Sequence, residues 1–161
     1  MSEIADYKLI RNSTVGTELT DDKAKLLSAR MGVRHLKDGE LLVKEGEADQ
    51  TLYVLAAGKL AVTSKDSAGV EQTVYTMKEG ECAGTRAFVE QTPRKATLRA
   101  VGASTVYTLT PQDFESLLDA QPRLAFKVMR ALFRVTHANL ARMNQESKEL
   151  ANYISKSQGR Y

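Results

Sequence analysis

Between residues 33 and 110 the chain alternates short apolar segments with turn residues. Leu41–Val43, Leu52–Leu55, Leu60–Thr63, Thr73–Met77, Ala96–Ala100 and Thr105–Leu109 read as strands, rich in Val, Leu, Tyr and Thr. Asp38-Gly39, Glu45-Gly46, Ala57-Gly58, Ser67-Ala68-Gly69 and Glu79-Gly80 read as the turns between them. Strands this short, about 8–12 residues apart, imply an all-β barrel, sandwich or roll and argue against alternating βαβ units.

The flanks carry a different period. Thr20, followed by Asp21 and Asp22 and then by Leu26, Leu27 and Met31, predicts a short amphipathic helix with Thr20 as its N-cap. Residues 1–19 are polar and mixed and predict no firm element. Pro111 opens a short helix after Thr110, with Phe114, Leu117 and Leu118 on one face. Pro122 restarts the chain as a helix that meets no further Pro or Gly until Gly159.

Two apolar stripes run along that last helix. Met129, Phe133, Thr136, Leu140, Met143, Ser147, Leu150 and Ile154 recur at spacings of 4 and 3, a heptad seam. Val128, Leu132 and Val135 form a shorter stripe beside it. A helix with two apolar faces has to bury both, so the short stripe is expected on the β core and the long seam against a second copy of the chain. The alternative is a helix folded wholly over its own domain. The resulting division is residues 1–19, a β unit with short flanking helices over 20–121, and the long helix over 122–161.

Composition narrows the function classes. At 161 residues the chain holds one domain's worth of material, and 42% hydrophobic residues allow it a proper core. It has no apolar run long enough for a membrane span, and Met-Ser-Glu-Ile-Ala-Asp lacks the layout of a signal peptide, so a soluble, cytoplasmic protein is expected. Cys82 is alone and has no internal disulfide partner. His35 and His137 cannot supply a three-ligand zinc site without carboxylates, so no metal is expected. They also fall in separate elements, no nucleophile arrangement can be argued around them, and the expected protein is not an enzyme.

The net charge of +3 is unevenly spread. Residues 1–121 carry 15 Lys/Arg against 18 Asp/Glu, and residues 122–161 carry 8 against 2. The cationic last quarter is either a solvated helix or a surface for an acidic partner.

Residues 80–97, Gly-Glu-Cys-Ala-Gly-Thr-Arg-Ala-Phe-Val-Glu-Gln-Thr-Pro-Arg-Lys-Ala-Thr, carry the candidate chemistry. A helix start around Gly84–Ala87 presents backbone N–H groups, and Arg94 can return on the far side, an arrangement suited to one phosphate. On spacing alone, an exposed Arg in an ordinary loop is the competing reading.

The sequence resembles the cyclic-nucleotide-binding domains of the catabolite activator protein, the protein kinase A regulatory subunits and the cyclic-nucleotide-gated channels. The resemblance covers about residues 20–145. It lies in Leu36–Glu40, Lys44–Glu47, Leu52–Leu60, Lys78–Glu81, Pro93–Thr97 and the helix at Asp113-Phe114. It implies a mainly β fold, a β-roll of double-stranded β-helix or jelly-roll type with a short N-terminal helix and a long C-terminal helix that lids the pocket and dimerises. It implies a phosphate-binding cassette at Gly84–Thr97, with Gly84, Thr85, Arg86, Ala87, Arg94 and Lys95 as ligand-binding residues. Thr136, His137 and Asn139 fall where members place polar contacts to the base. The implied ligand is cyclic AMP, cyclic GMP or another cyclic nucleotide, with no further cofactor.

The cassette departs from the family pattern. Members that bind ligand read Phe-Gly-Glu and then an apolar residue, the glutamate holding the ribose 2′-hydroxyl. Here the positions read Ala83-Gly84-Thr85-Arg86, and Lys95 replaces a small residue after Arg94. Loss of a charged acceptor costs on the order of 1.5–3 kcal/mol. The expectation is therefore a sensing module that takes a cyclic nucleotide or related phosphate and signals through its last helix to a homodimer or a protein effector. The alternative is a dimeric scaffold that has lost nucleotide binding. Bacterial transcription regulators of the family place a helix-turn-helix domain after the long helix; few residues follow Met143 here, so no direct DNA readout and no membrane partner are expected.

Overall fold

The structure is a computed structural model that describes residues 3–158. Helices α1 (Tyr7–Arg11) and α2 (Asp21–Ser28) precede strands β1 (Gly32–Leu36), β2 (Leu41–Val43), β3 (Leu52–Lys65), β4 (Glu71–Met77) and β5 (Cys82–Ala83). Helix α3 (Thr85–Glu90) is inserted before β6 (Thr97–Leu109), and α4 (Pro111–Ala120) and α5 (Pro122–Gln158) follow. The strands form one antiparallel sheet in the order β1-β6-β3-β4, with β2 paired to β6 and β5 to β3. This is the β-roll with flanking helices that the strand spacing and the resemblance predict.

The six strands are divided differently from the six that the sequence pattern suggests: two expected pairs merge into long strands, and β1 and β5 were not expected. Leu52–Leu55 and Leu60–Thr63 are two halves of β3, and Ala96–Ala100, apart from Ala96 itself, and Thr105–Leu109 fall on β6. Ala57-Gly58 is therefore a bulge in one bent strand and not a turn, with the register against β6 shifting on both sides of Ala57. Gly58 has φ +88°, and a Cβ there would sit 2.4 Å from the Ser104 Oγ and 2.6 Å from the Ala103 carbonyl oxygen. Only a residue without a side chain lets β3 and β6 cross this closely. Ser104 secures the crossing, its Oγ accepting from the Lys59 amide at 3.1 Å and donating to the Lys59 carbonyl at 3.0 Å.

The helix starts follow their caps. The Thr20 Oγ1 accepts from the Lys23 amide at 3.3 Å, and the Thr110 Oγ1 from the Asp113 amide at 3.1 Å. Helix α2 stops at Ser28, before Met31, because Gly32 already opens β1 and the chain turns through Arg30 and Met31. Helix α1 was hidden in the polar N-terminal stretch. It is capped by Asp6 and anchored by Ile10, its one buried residue, so five residues leave no readable period.

The core has two parts. Leu55, Leu60, Leu98 and Val106 fill the roll. Ile10, Leu27, Leu52, Leu117, Leu124, Val128 and Leu132 fill the space between the helices and the sheet. Burying each large aliphatic side chain contributes about 1.5–3 kcal/mol. Val128 and Leu132, of the short stripe of α5, thus fasten the start of that helix to the roll, while Val135, its third member, is only half-buried. Of the long seam, Met129 packs against this core and the rest stays outside within the chain: Phe133, Leu140, Met143, Leu150 and Ile154 are between 46% and 69% exposed. Glu18 adds a polar clamp on the same segment, accepting from the Arg130 Nε at 2.8 Å and Nη2 at 2.6 Å.

Candidate functional site

A cavity of about 480 Å3 opens between the roll, α3 and α5. It sits where β5 ends and Gly84, at φ +84°, turns the chain into α3. The first hydrogen bond into that helix runs from the Phe88 amide to the Gly84 carbonyl at 2.9 Å, so the amides of Thr85, Arg86 and Ala87 have no acceptor within α3. Gly84 offers no side-chain cap to them.

Arg94 approaches from the opposite wall. Its backbone is pinned to the loop after β2, with its amide donating to the Glu47 carbonyl at 2.9 Å and its carbonyl accepting from the Gly46 amide at 2.8 Å. The side chain is 4% exposed. It lies over the Tyr53 ring at 5.3 Å, its Nη2 donates to the Thr51 carbonyl, and the same nitrogen is 3.6 Å from the Asp49 carboxylate. Nε and Nη1 are buried with no hydrogen-bond partner among the described residues. Buried guanidinium donors left unpaired are costly, which makes these two nitrogens strong sites for an anionic acceptor.

Gly84 creates the space for that side chain. A Cβ at Gly84 would stand 1.9 Å from the Arg94 Nη1 and 2.9 Å from its Cζ. The glycine therefore serves the site twice, by its left-handed backbone and by its lack of a side chain.

Asp49 and Tyr53 hold the guanidinium from behind. Burial pushes the Asp49 carboxyl up, but hydrogen bonds from the Tyr53 hydroxyl and Thr51, with the Arg94 charge, outweigh it and keep the group below its usual range. Burial, reinforced by the Asp49 carboxylate, pushes the Tyr53 phenol up to about 12. Asp49 is thus an anion and Tyr53 a neutral donor at neutral pH.

Gly84, Thr85, Arg86, Ala87, Arg94, Lys95 and Asn139 all line this one cavity. Thr136 does not: it lines a second cavity, of about 360 Å3, between α3 and α5, where Thr85 and Arg86 also reach. His137 lines neither and stacks on Phe133 with ring centroids 5.9 Å apart. The face of α5 that meets the first cavity is Val135, Asn139 and Arg142. Their spacing of 4 and 3 could have extended Asn139 to Arg142 from sequence. Asp49, Tyr53 and Thr51 had no such signal, because only the crossing of the loop before β3 under Arg94 brings them in.

Thr85, at the family's glutamate position, has its Oγ1 3.7 Å from the Cys82 Sγ. Glu81 is the one carboxylate lining the cavity among the described residues. Both of its oxygens accept from the Tyr75 hydroxyl, at 2.8 and 2.7 Å, and one also accepts from the Lys78 amide at 3.0 Å.

Comparison with known proteins places this arrangement. The family model described as the cyclic nucleotide-binding domain matches residues 33–121. A cAMP-dependent protein kinase regulatory subunit of Yarrowia lipolytica is 35% identical over 83 residues, covering 52% of this chain and 21% of that protein. A cGMP-dependent protein kinase of Eimeria tenella is 33% identical over 82 residues, covering 51% of this chain and 8% of that protein. The chain thus spans about a fifth or less of these relatives. Among solved structures, a cyclic nucleotide-binding domain from Methylobacillus flagellatus superposes with a TM-score of 0.80 at 19% identity, covering 87% of this chain and 81% of that one. The N-terminal domain of a transcriptional regulator from Streptomyces coelicolor gives 0.74 at 25% identity, covering 84% and 94%.

Proposed function

The chain belongs to the cyclic nucleotide-binding domain family, and from that premise we propose that it is a non-enzymatic regulatory module whose cavity takes the phosphate of a cyclic nucleotide or related ligand. The observation that carries this reading is Arg94: buried, oriented by Asp49 and Thr51, and left with Nε and Nη1 unpartnered. A phosphate between those donors and the amides of Thr85–Ala87 would satisfy both sets at once. Asn139 and Arg142 of α5 close the far side, so ligand binding bears directly on the position of that helix.

In the same reading α5 carries the output. Its exposed seam of Phe133, Leu140, Met143, Leu150 and Ile154 fits a second copy of the chain, because a heptad of apolar residues pairs with its own kind across a two-fold axis. A soluble, cytoplasmic protein accords with the fact that no described helix is long and apolar enough to cross a membrane.

Calorimetric titration with cyclic AMP, cyclic GMP and cyclic dinucleotides tests the proposal. At least one should bind, and Arg94→Gln should weaken it by about 10- to 150-fold, the value of one charged hydrogen bond. Arg94→Lys, which keeps the charge and loses the fork, separates ligand recognition from folding. Silence for every ligand with the protein folded overturns it.

A second reading has its own observation. Thr85 places no carboxylate where a sugar hydroxyl would be held. On this reading the chain is a dimeric scaffold, and the same titration separates the two.

A further inference from the structure

The cavity walls carry more positive charge than one cyclic monophosphate uses. We propose that the site selects a phosphate ligand with at least two negative charges over the singly charged 3′,5′-cyclic monophosphates. This rests on the cavity being a phosphate site at all, as proposed above, and names the class of ligand it prefers.

Four cations line the cavity from different sides: Arg94 from its floor, Arg86 from α3, Lys95 from the segment before β6, and Arg142 from α5. Glu81 is the single acid among the described lining residues, and its oxygens are already bound by Tyr75 and Lys78. The carboxylates that pair with the cations lie outside the lining. Asp49 stands behind Arg94, Glu90 pairs with Arg86 at 3.0 Å, and Glu146 with Arg142 at 3.9 Å. The last two are exposed pairs one helical turn apart, of a kind that contributes little, so either cation can exchange its carboxylate for a phosphate.

Arg94 and the α3 amides suffice for one phosphate. Arg86, Lys95 and Arg142 then remain for a second charge, while Thr85 leaves a ribose hydroxyl without a charged acceptor. A ligand gains in this cavity by adding a negative charge, not by presenting a neutral hydroxyl. Two chemical sources fit: a nucleoside monophosphate with an open, dianionic phosphate, and a cyclic dinucleotide with two phosphodiesters.

Matched pairs separate charge from base and sugar. Calorimetric titrations of the full chain at pH 7.5 and physiological salt would use cyclic AMP against AMP and cyclic di-AMP, and cyclic GMP against GMP and cyclic di-GMP. At least one dianion should bind tenfold or more tightly than its cyclic monophosphate, with a steeper loss of affinity on adding salt. Which dianion wins distinguishes the two sources. Arg142→Gln should reduce that ratio severalfold, and combining it with Arg86→Gln should bring the ratio close to one. For a winning monophosphate, lowering the pH to 5.5, below its second phosphate pKa of about 6, should also erase most of the preference. Cyclic AMP or cyclic GMP binding as tightly as every dianion, and depending on Arg94, refutes this selectivity and leaves the phosphate site standing. No binding by any compound refutes both. A preference unchanged in the Arg86 and Arg142 double variant also overturns it.

Discussion

Replacing Gly84 with alanine tests the geometry of the site most directly. Two penalties are expected, and a second glycine separates them. Gly69, in the turn between β3 and β4, has φ +79°, nearly that of Gly84, but a Cβ there meets nothing within 4 Å. Gly69→Ala therefore pays only for a left-handed backbone, roughly 1–2 kcal/mol. Gly84→Ala incurs the same strain and also drives a methyl to within 1.9 Å of the Arg94 Nη1. The guanidinium then has to leave the Thr51 carbonyl and Asp49, and weakening those buried charged contacts adds about 1–3 kcal/mol. Thermal melts should show a loss of roughly 4 °C for Gly69→Ala and roughly 10 °C for Gly84→Ala, at about 2–4 °C per kcal/mol for a chain of this size. A ligand that binds the parent protein should bind Gly84→Ala at least tenfold more weakly and Gly69→Ala equally well. Equal melting losses for the two variants, with binding intact in both, would show that Arg94 does not depend on the space at Gly84.

Four further outcomes follow from contacts in the structure. Burial and the Asp49 carboxylate push the folded Tyr53 phenol up to about 12 from its ordinary 10.0, so between those pH values the native state keeps a proton that the unfolded state has lost; stability should fall as pH rises through this window, and Tyr53→Phe should flatten that part of a denaturation series. Asp49 is shifted the other way: its contribution is present above its unfolded value of about 3.8 and is lost as pH falls below it, so Asp49→Asn should lower stability at pH 7 and reduce the acid-induced loss below pH 4. Glu18→Gln should lower stability only slightly, since the pair is partly solvated, and hydrogen exchange should quicken in the first turns of α5 while the strands are unchanged. A Leu140→Lys and Met143→Lys double variant should sediment as a monomer where the parent sediments as a dimer, and a parent that is monomeric removes the case for pairing through the seam.

What the sequence revealed and what it hid follow from the range of the interactions. Caps act over three residues, so Thr20 and Thr110 could be read as they stand. Strand and heptad patterns act along one element, so most strands of the roll and both stripes of α5 were visible, while β1 and the two-residue β5 were not. The cassette glycine and Arg94 were visible because ten residues of chain bring them together. Gly58 misled for the converse reason: as a local signal it reads as a turn, and only the approach of Ser104 from β6, 46 residues later, makes it a bulge. Asp49 likewise has nothing in its own neighbourhood to mark it. Its role exists only because Arg94 is folded over Tyr53. Thr136 and His137 were placed toward the base by analogy, whereas the helix turns Val135, Asn139 and Arg142 to the cavity.

That orientation of α5 has a thermodynamic consequence. At 100° per residue, Val135, Asn139 and Arg142 share one narrow stripe, and the seam through Phe133, Leu140 and Met143 is centred roughly 100° around the helix from it. The two faces adjoin without overlapping, so one helix can meet a ligand and a second chain at the same time. They are also rigidly joined, because the helix has neither Pro nor Gly between Pro122 and Gln158 to absorb a twist. A ligand that draws Asn139 and Arg142 inward therefore rotates or tilts the seam, and a partner that fixes the seam fixes Asn139 and Arg142. Linkage makes the effects equal: if ligand tightens the dimer by some factor, dimerisation tightens the ligand by the same factor. Ligand affinity should then rise with protein concentration across the dimerisation range in the parent chain, and should be independent of concentration in the Leu140→Lys and Met143→Lys variant. An affinity that depends on concentration in neither, in a protein shown to dimerise and to bind, would mean that the helix carries both contacts without coupling them.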